Sequence, residues 1–86
     1  MKIRATPRFK RAYKKLSSSA QAAVDQALRR FVENPRNPGL HFEKLQHSDY
    51  RTIRVGLGIR IVLRGEDSEF DLVDIGGHDS VDRNYG

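Results

Sequence analysis

The stretch from Tyr50 to Arg64 constrains the fold of this chain more than any other. Apolar side chains occupy every second position within it: Ile53, Val55, Leu57, Ile59, Ile61 and Leu63. A period of two, rich in β-branched residues, is typical of strands, and Gly56-Leu57-Gly58 interrupts it as a hairpin turn would. We therefore predict two antiparallel strands joined by a three-residue loop at 56–58, with Gly58 in the left-handed conformation.

The polar positions of this hairpin carry arginines. In the predicted register Arg54 lies opposite Arg60, and Arg64 follows on the same side of the second strand. Like charges that face each other across a sheet are mildly destabilising, which favours a role in binding an anion. A solvated outer face accounts for the same pattern equally well, so spacing alone leaves both interpretations open.

The residues before the hairpin predict one strand and two helices. Lys2 to Ala5 alternates as a short strand, and Thr6-Pro7 is typical of a helix start, with a hydroxyl cap before proline. This first helix runs to about Leu16. The second follows the serines at 17–19 and runs to about Asn34, where Pro35 ends it. The break between the helices is short, so we expect an antiparallel helical hairpin.

The remaining segments complete a small α+β domain that spans residues 1–86. Leu40, Phe42 and Leu45 are predicted core residues, and Glu69 to Ile75 reads as a further strand. Residues 76–86 are predicted to form a tail without a closing helix. The expected order is β-α-α-β-β-β, with the helical hairpin packed on one face of a small antiparallel sheet and the other face free.

Composition excludes several classes of function. The chain has no cysteine, which rules out disulfides and thiolate metal sites. His41 and His47 have no third ligand at suitable spacing, so we expect no metal and no other cofactor. The sequence shows no signal peptide and no apolar run of ~18 residues that could span a membrane. We therefore predict a cytoplasmic protein without a membrane partner.

The positive charge is concentrated in the first part of the chain. Residues 1–36 carry ten Lys and Arg against Asp25 and Glu33, whereas residues 37–86 carry six against nine acids. Five of the basic residues lie on the first predicted helix or at its end: Arg8, Lys10, Arg11, Lys14 and Lys15. Such a helix favours a polyanionic partner, either nucleic acid or an acidic protein segment, although a solvated face remains the commoner explanation.

The order of these elements and their residues together resemble the RelE/ParE superfamily of bacterial toxins from type II toxin–antitoxin pairs. The resemblance covers nearly the whole chain. It is carried by the following segments: the opening strand with Thr-Pro-x-Phe, Glu43-Lys44-Leu45, Tyr50-Arg51-x-Ile-Arg-Val, Ile59-Arg60-Ile61, the run 75–79 and Tyr85. Each segment alone is weakly specific, so the resemblance depends on the order and spacing of all of them.

The resemblance implies a chemistry and a set of residues. RelE-like members cleave mRNA in the ribosomal A site without a metal, by attack of the 2′-hydroxyl on the neighbouring phosphate. Arg60 matches the family's arginine for the scissile phosphate, His78 matches a position for an active-site arginine or histidine, and Tyr85 lies near the C-terminal tyrosine. Further basic residues match positions for RNA or phosphate binding: Lys44, Arg51, Arg54 and Arg64.

The resemblance also implies partners and alternatives. We expect a cognate antitoxin that silences the toxin, contact with the ribosome and mRNA, and binding of operator DNA indirectly through the antitoxin. Glu43 could act as a general base, although an ion pair with a neighbouring arginine is the simpler interpretation. Two other functions remain open on the same fold: a ParE-like inhibitor of DNA gyrase, and a binding module without catalysis.

Overall fold

The computed structural model describes residues 1–86 and forms a five-stranded sheet with three helices. The strands are β1 (Lys2–Ala5), β2 (Glu43–Lys44), β3 (Tyr50–Gly56), β4 (Ile59–Glu66) and β5 (Glu69–Gly77). The helices are α1 (Pro7–Lys14), α2 (Ser18–Glu33) and α3 (His78–Tyr85), and a short 3-10 turn covers Pro38–Leu40. The α+β class and the predicted order of the first two helices and four main strands are confirmed.

The sheet has the order β1-β5-β4-β3-β2. Three of its pairings are antiparallel, two of them between strands that the sequence predicted, but β1 runs parallel to β5, with Ile3 opposite Phe70. The prediction of a fully antiparallel sheet was therefore wrong at one edge. A parallel partner needs a long crossover, and here almost the whole chain lies between β1 and β5. The short β2 also adds an edge strand that alternation could not reveal.

The turn between β3 and β4 is shorter than the sequence predicted. Arg54 pairs with Arg60 as expected, but Gly56 pairs with Ile59, so Val55 forms a bulge and the turn contains two residues. The three-residue loop was wrong, although Gly58 does have a positive φ of 73°. Leu57, which belonged to the predicted loop, lies in this turn and is 73% exposed.

The first two helices cover one face of the sheet, which we call the helix face. Thr6 and Ser17 cap α1 and α2 through hydrogen bonds from the backbone of Phe9 and Ala20. The buried cluster between these helices and the sheet contains eleven residues: Phe9, Val24, Ala27, Phe31, Leu40, Ile53, Ile61, Leu63, Phe70, Leu72 and Ile75. Phe31 contacts Phe42 and Phe70 edge-on, at centroid distances of 5.1 and 5.4 Å. Burial of this apolar surface stabilises the domain.

The opposite face of the sheet, which we call the site face, is not free. Residues 78–85 form α3 and return onto it, contrary to the predicted tail without a helix. Val81 is 2% exposed and packs with Leu45 and Val62, while Tyr50, Val73 and Tyr85 border this smaller cluster. A bulge at Val73 in β5 lets that side chain join the site face. None of the three helices is long and apolar enough to cross a membrane.

Candidate active site

Two arginines stand side by side on the site face. Arg54 and Arg60 are direct partners across β3 and β4, and Arg54 is exposed. The side chain of Arg60 is 15% exposed and pairs with Glu43, with 3.5 Å between Nη1 and Oε1. Arg54 forms no ion pair with any acid of the chain. Since only one of the two adjacent guanidinium groups has a carboxylate partner, this part of the sheet has an excess positive charge that suits an anion.

The start of α3 brings a histidine to these arginines. Gly77 pairs with Ile59 at the end of the sheet, so His78 follows next to the tip of the hairpin. Arg54, Arg60 and His78 line one open depression of about 260 Å³, together with Gly56, Gly58 and Ile59. The structure therefore brings three of the residues singled out from the sequence together in one location.

The imidazole of His78 has a partner within α3. Its Nε2 lies 3.2 Å from Oδ2 of Asp82, one helical turn away. This contact orients the ring and leaves the other nitrogen for a ligand or substrate. Sequence reasoning missed the role of Asp82 because it assigned no helix here. The spacing of four residues between His78 and Asp82 would have been the signal.

Tyr85 lies at the other end of α3, apart from this depression. Its hydroxyl donates a hydrogen bond of 2.7 Å to Asp74 and accepts one of 3.3 Å from Arg8. Its ring meets the ring of Tyr50 edge-on at 4.9 Å. Tyr85 thus links the last turn of α3 to β5 and to the first turn of α1. Arg8 and Asp74 were not predicted to take part in it, because they are distant in sequence.

The same contacts change the ionisation of the tyrosine and the arginine. Burial, and then the hydrogen bond to Asp74, raises the pKa of Tyr85 above its ordinary value. The hydrogen bond with Tyr85 raises the pKa of Arg8. At neutral pH the phenol therefore keeps its proton and the guanidinium keeps its charge. Tyr85 in this arrangement is a fixed hydrogen-bonding group and a poor base.

The other predicted phosphate-binding residues form a second group at the far end of the hairpin. Lys44, Arg51 and Arg64 line one depression of about 270 Å³ with Asp49 and Glu66. Lys44 and Arg51 are direct partners across β2 and β3, and Arg51 faces the side of Leu63, which is the helix face. Arg64 lies on the site face, with its guanidinium carbon 5.9 Å from the centre of the Tyr50 ring. The structure therefore separates these three residues from Arg60 and His78.

The titratable residues do not form a metal centre. No group of three or more His, Asp or Glu side chains is close enough to hold an ion. His41 and His47 are exposed and lie in left-handed positions of the segment between α2 and β3.

Comparison with known proteins gives no match by sequence and a clear match by fold. No family model and no curated protein matches the chain. YafQ from E. coli strain BL21(DE3) superposes with a TM-score of 0.74 at 15% identity, covering 92% of this chain and 94% of YafQ. The YoeB/ParE toxin from Agrobacterium tumefaciens gives a TM-score of 0.72 at 18% identity, covering 91% and 99%.

A third similar structure is the intact RelBE toxin–antitoxin complex of E. coli. It gives a TM-score of 0.69 at 19% identity and covers 88% of this chain and 94% of the matched chain. The fold is that of the RelE-like toxins. This confirms the resemblance stated from the sequence, at the level of fold. The matches cover 88–92% of this chain and 94–99% of the similar chains, so the RelE-like fold accounts for nearly the whole domain.

Proposed function

We propose that this chain is the toxin of a type II toxin–antitoxin pair and acts as a ribosome-dependent mRNA endoribonuclease. One observation carries the proposal: Arg54, Arg60 and His78 line a single open depression on the site face. Two guanidinium groups and one imidazole are suitable for cleaving a phosphodiester without a metal. The fold shared with YafQ, YoeB and RelE supports the same function.

In the proposed reaction, the RNA supplies its own nucleophile. Glu43, beside Arg60, accepts the proton of the 2′-hydroxyl, whose oxygen then bonds to the neighbouring phosphorus. Arg60 and Arg54 bind the phosphate oxygens and stabilise the charge that grows on them. The bond from phosphorus to the 5′-oxygen breaks, and protonated His78 gives that oxygen a proton. The products are a 2′,3′-cyclic phosphate and a free 5′-hydroxyl.

The ion pair between Arg60 and Glu43 fits these two roles. A phosphate that approaches Arg60 replaces the carboxylate as the partner of the guanidinium, and Glu43 is then free to accept a proton. The side chain of Glu43 is 55% exposed, so it moves without disturbing the core. Arg60 is less exposed and stays in place between the strands. Tyr85 contributes through position: it fixes α3, which carries His78.

The proposed partners are a cognate antitoxin, the ribosome and mRNA. Three of the similar structures are toxin–antitoxin complexes: RelBE and DinJ-YafQ of E. coli, and RelB-RelE of Methanococcus jannaschii. The basic side chains of α1 and the residue after it are exposed, which suits an acidic antitoxin segment or ribosomal RNA: Arg8, Lys10, Arg11, Lys14 and Lys15. Binding of operator DNA would occur through the antitoxin. The second basic group, with Arg51 and Arg64, would contact RNA away from the cleaved bond.

The proposal is tested by mapping mRNA 5′ ends in a cell-free translation reaction with and without the purified protein. We expect new ends inside codons that appear when ribosomes are present and not with naked mRNA. His78→Ala should remove most of them, whereas His41→Ala, a matched exposed histidine outside the site, should not. Intact mRNA would contradict the nuclease, and inhibition of DNA supercoiling in a parallel assay would then indicate a gyrase inhibitor.

A further inference from the structure

The backbone conformation and the exposure of Leu57 are both unfavourable for a leucine. It is the first residue of the turn between β3 and β4, and its φ is 58°, with Gly56 and Gly58 at 102° and 73° on either side. Left-handed backbone is unfavourable for a leucine, and turns of this kind prefer Asn, Asp or Gly at this position. Its side chain is also 73% exposed, the highest value among the large apolar residues. Neither the backbone nor burial accounts for a leucine here.

The turn that carries Leu57 forms one wall of the depression beside the arginines. Gly56 and Gly58 both line that depression, together with Arg60 and His78. The carbonyl oxygen of Gly58 lies next to Gly77, the residue before His78. Leu57 itself does not line the depression, but the residues on both sides of it do, so it lies at the edge of a site that contains two arginines and a histidine. Strained residues persist mainly where function requires them.

We propose that Leu57 packs against the nucleobase next to the phosphate bound by Arg54 and Arg60. This inference rests on the proposed nuclease function and adds to it the residue that contacts the base. Proteins recognise unpaired RNA by placing apolar and aromatic side chains against the faces of its bases. The base and the phosphate of a nucleotide are joined through its sugar. An apolar side chain beside two arginines can therefore contact the base while the arginines bind the phosphate. An interface with a protein partner is the competing outcome.

The test uses three variants in the cell-free cleavage reaction. Leu57→Asn removes the apolar side chain and suits the left-handed turn, so the melting temperature should rise by about 4 °C. Its cleavage rate at subsaturating protein should fall at least about fivefold, the smallest effect of losing one base contact. The choice of base at the cleaved position should also become less selective. Leu57→Met, which keeps an apolar side chain, should retain the rate and the selectivity.

The matched control is Val32→Gln, which removes another exposed apolar side chain, 42% exposed, from α2. It should leave cleavage unchanged because α2 packs on the helix face. If Leu57→Asn is more stable but cleaves at the wild-type rate with the same base preference, the inference is wrong, and weaker antitoxin binding by that variant would assign Leu57 to the protein interface. If the wild-type protein leaves mRNA intact, the nuclease function itself fails and the base contact fails with it.

Discussion

The two faces of the sheet are built in different ways. Eleven buried residues fill the helix face, where two capped helices pack on four strands. The site face has a cluster of three buried hydrophobic residues and one eight-residue helix, and the rest of its surface holds arginines and a depression. Stability is therefore concentrated on one face, and the other has room for charged groups that a complete core would exclude. The following predictions test this division, from the largest expected effect to the smallest.

Phe31→Ala should destabilise the protein by about 3–5 kcal/mol, because it leaves a cavity at the centre of the helix face. Phe31 is fully buried and contacts two other aromatic rings. That loss is a large part of the total stability of a small domain. Chemical denaturation measures it, and Phe31→Leu is the control that should recover most of the loss. A cost below about 1 kcal/mol would mean that the helix face does not dominate stability.

Arg60→Ala should lower the cleavage rate by about 10²–10³-fold, the usual effect of removing a group that stabilises charge in the transition state. Its effect on stability should be small, since Glu43 is exposed enough to be solvated after the loss. Arg60→Lys should restore little activity because an ammonium group cannot bind phosphate in the forked manner of a guanidinium. Full activity of Arg60→Ala would exclude Arg60 from catalysis.

Val81→Ala and Val24→Ala form a matched pair, one buried valine on each face. Each should cost about 1–2 kcal/mol in unfolding free energy, from lost apolar burial and a small cavity. Val81→Ala should also reduce cleavage at temperatures where both variants are folded, because Val81 holds the helix that carries His78. Equal cleavage by the two variants would show that α3 does not need Val81 to position the histidine.

Tyr85 and Tyr13 give a smaller and pH-dependent comparison. Tyr13 donates a hydrogen bond to Asp25 on the helix face, at 2.9 Å, and this bond raises its pKa. Both folded-state pKa values are raised, so the stability that the neutral phenols contribute is complete below about pH 10 and is lost as the pH rises through the folded pKa.

Replacement of either tyrosine by Phe should therefore reduce the fall in melting temperature above about pH 10. Tyr85→Phe should cost about 1 kcal/mol or less at neutral pH, from the hydrogen bond to Asp74. It should also lower cleavage modestly, whereas Tyr13→Phe should not. An unchanged pH profile of melting in both variants would contradict the raised pKa values.

The sequence predicted the elements whose signals are local. The period of two in β3 and β4, the caps Thr6 and Ser17 and the stop at Pro35 were sufficient to place one hairpin and two helices. The pairing of Arg54 with Arg60 followed from the same alternation. These features depend on neighbouring residues, so they can be read along the chain.

The features that the sequence did not predict depend on contacts between distant segments. Short helices are marginal by themselves, and α3 depends on Val81 and Tyr85 packing on the sheet. The bulges at Val55 and Val73 changed which side chains share a face, and the parallel pairing of β1 depends on β5. The links from Asp74 to Arg8 and Tyr85 join three elements and have no local signal. The sequence therefore indicated the candidate site residues but not which of them lie close together in the fold.

The pairing of β1 with β5 also determines when a newly made molecule can become complete. β1 and the capping threonine are made before β5, and the hydroxyl of Thr6 donates to the carbonyl of Leu72, 66 residues further along the chain. His78 follows immediately after β5. Arg54 and Arg60 are therefore made before β5, whereas His78 is made directly after the strand that pairs with β1. A chain that stops before β5 lacks both the strand that pairs with β1 and His78, so under the proposed function it would be inactive as well as incompletely folded.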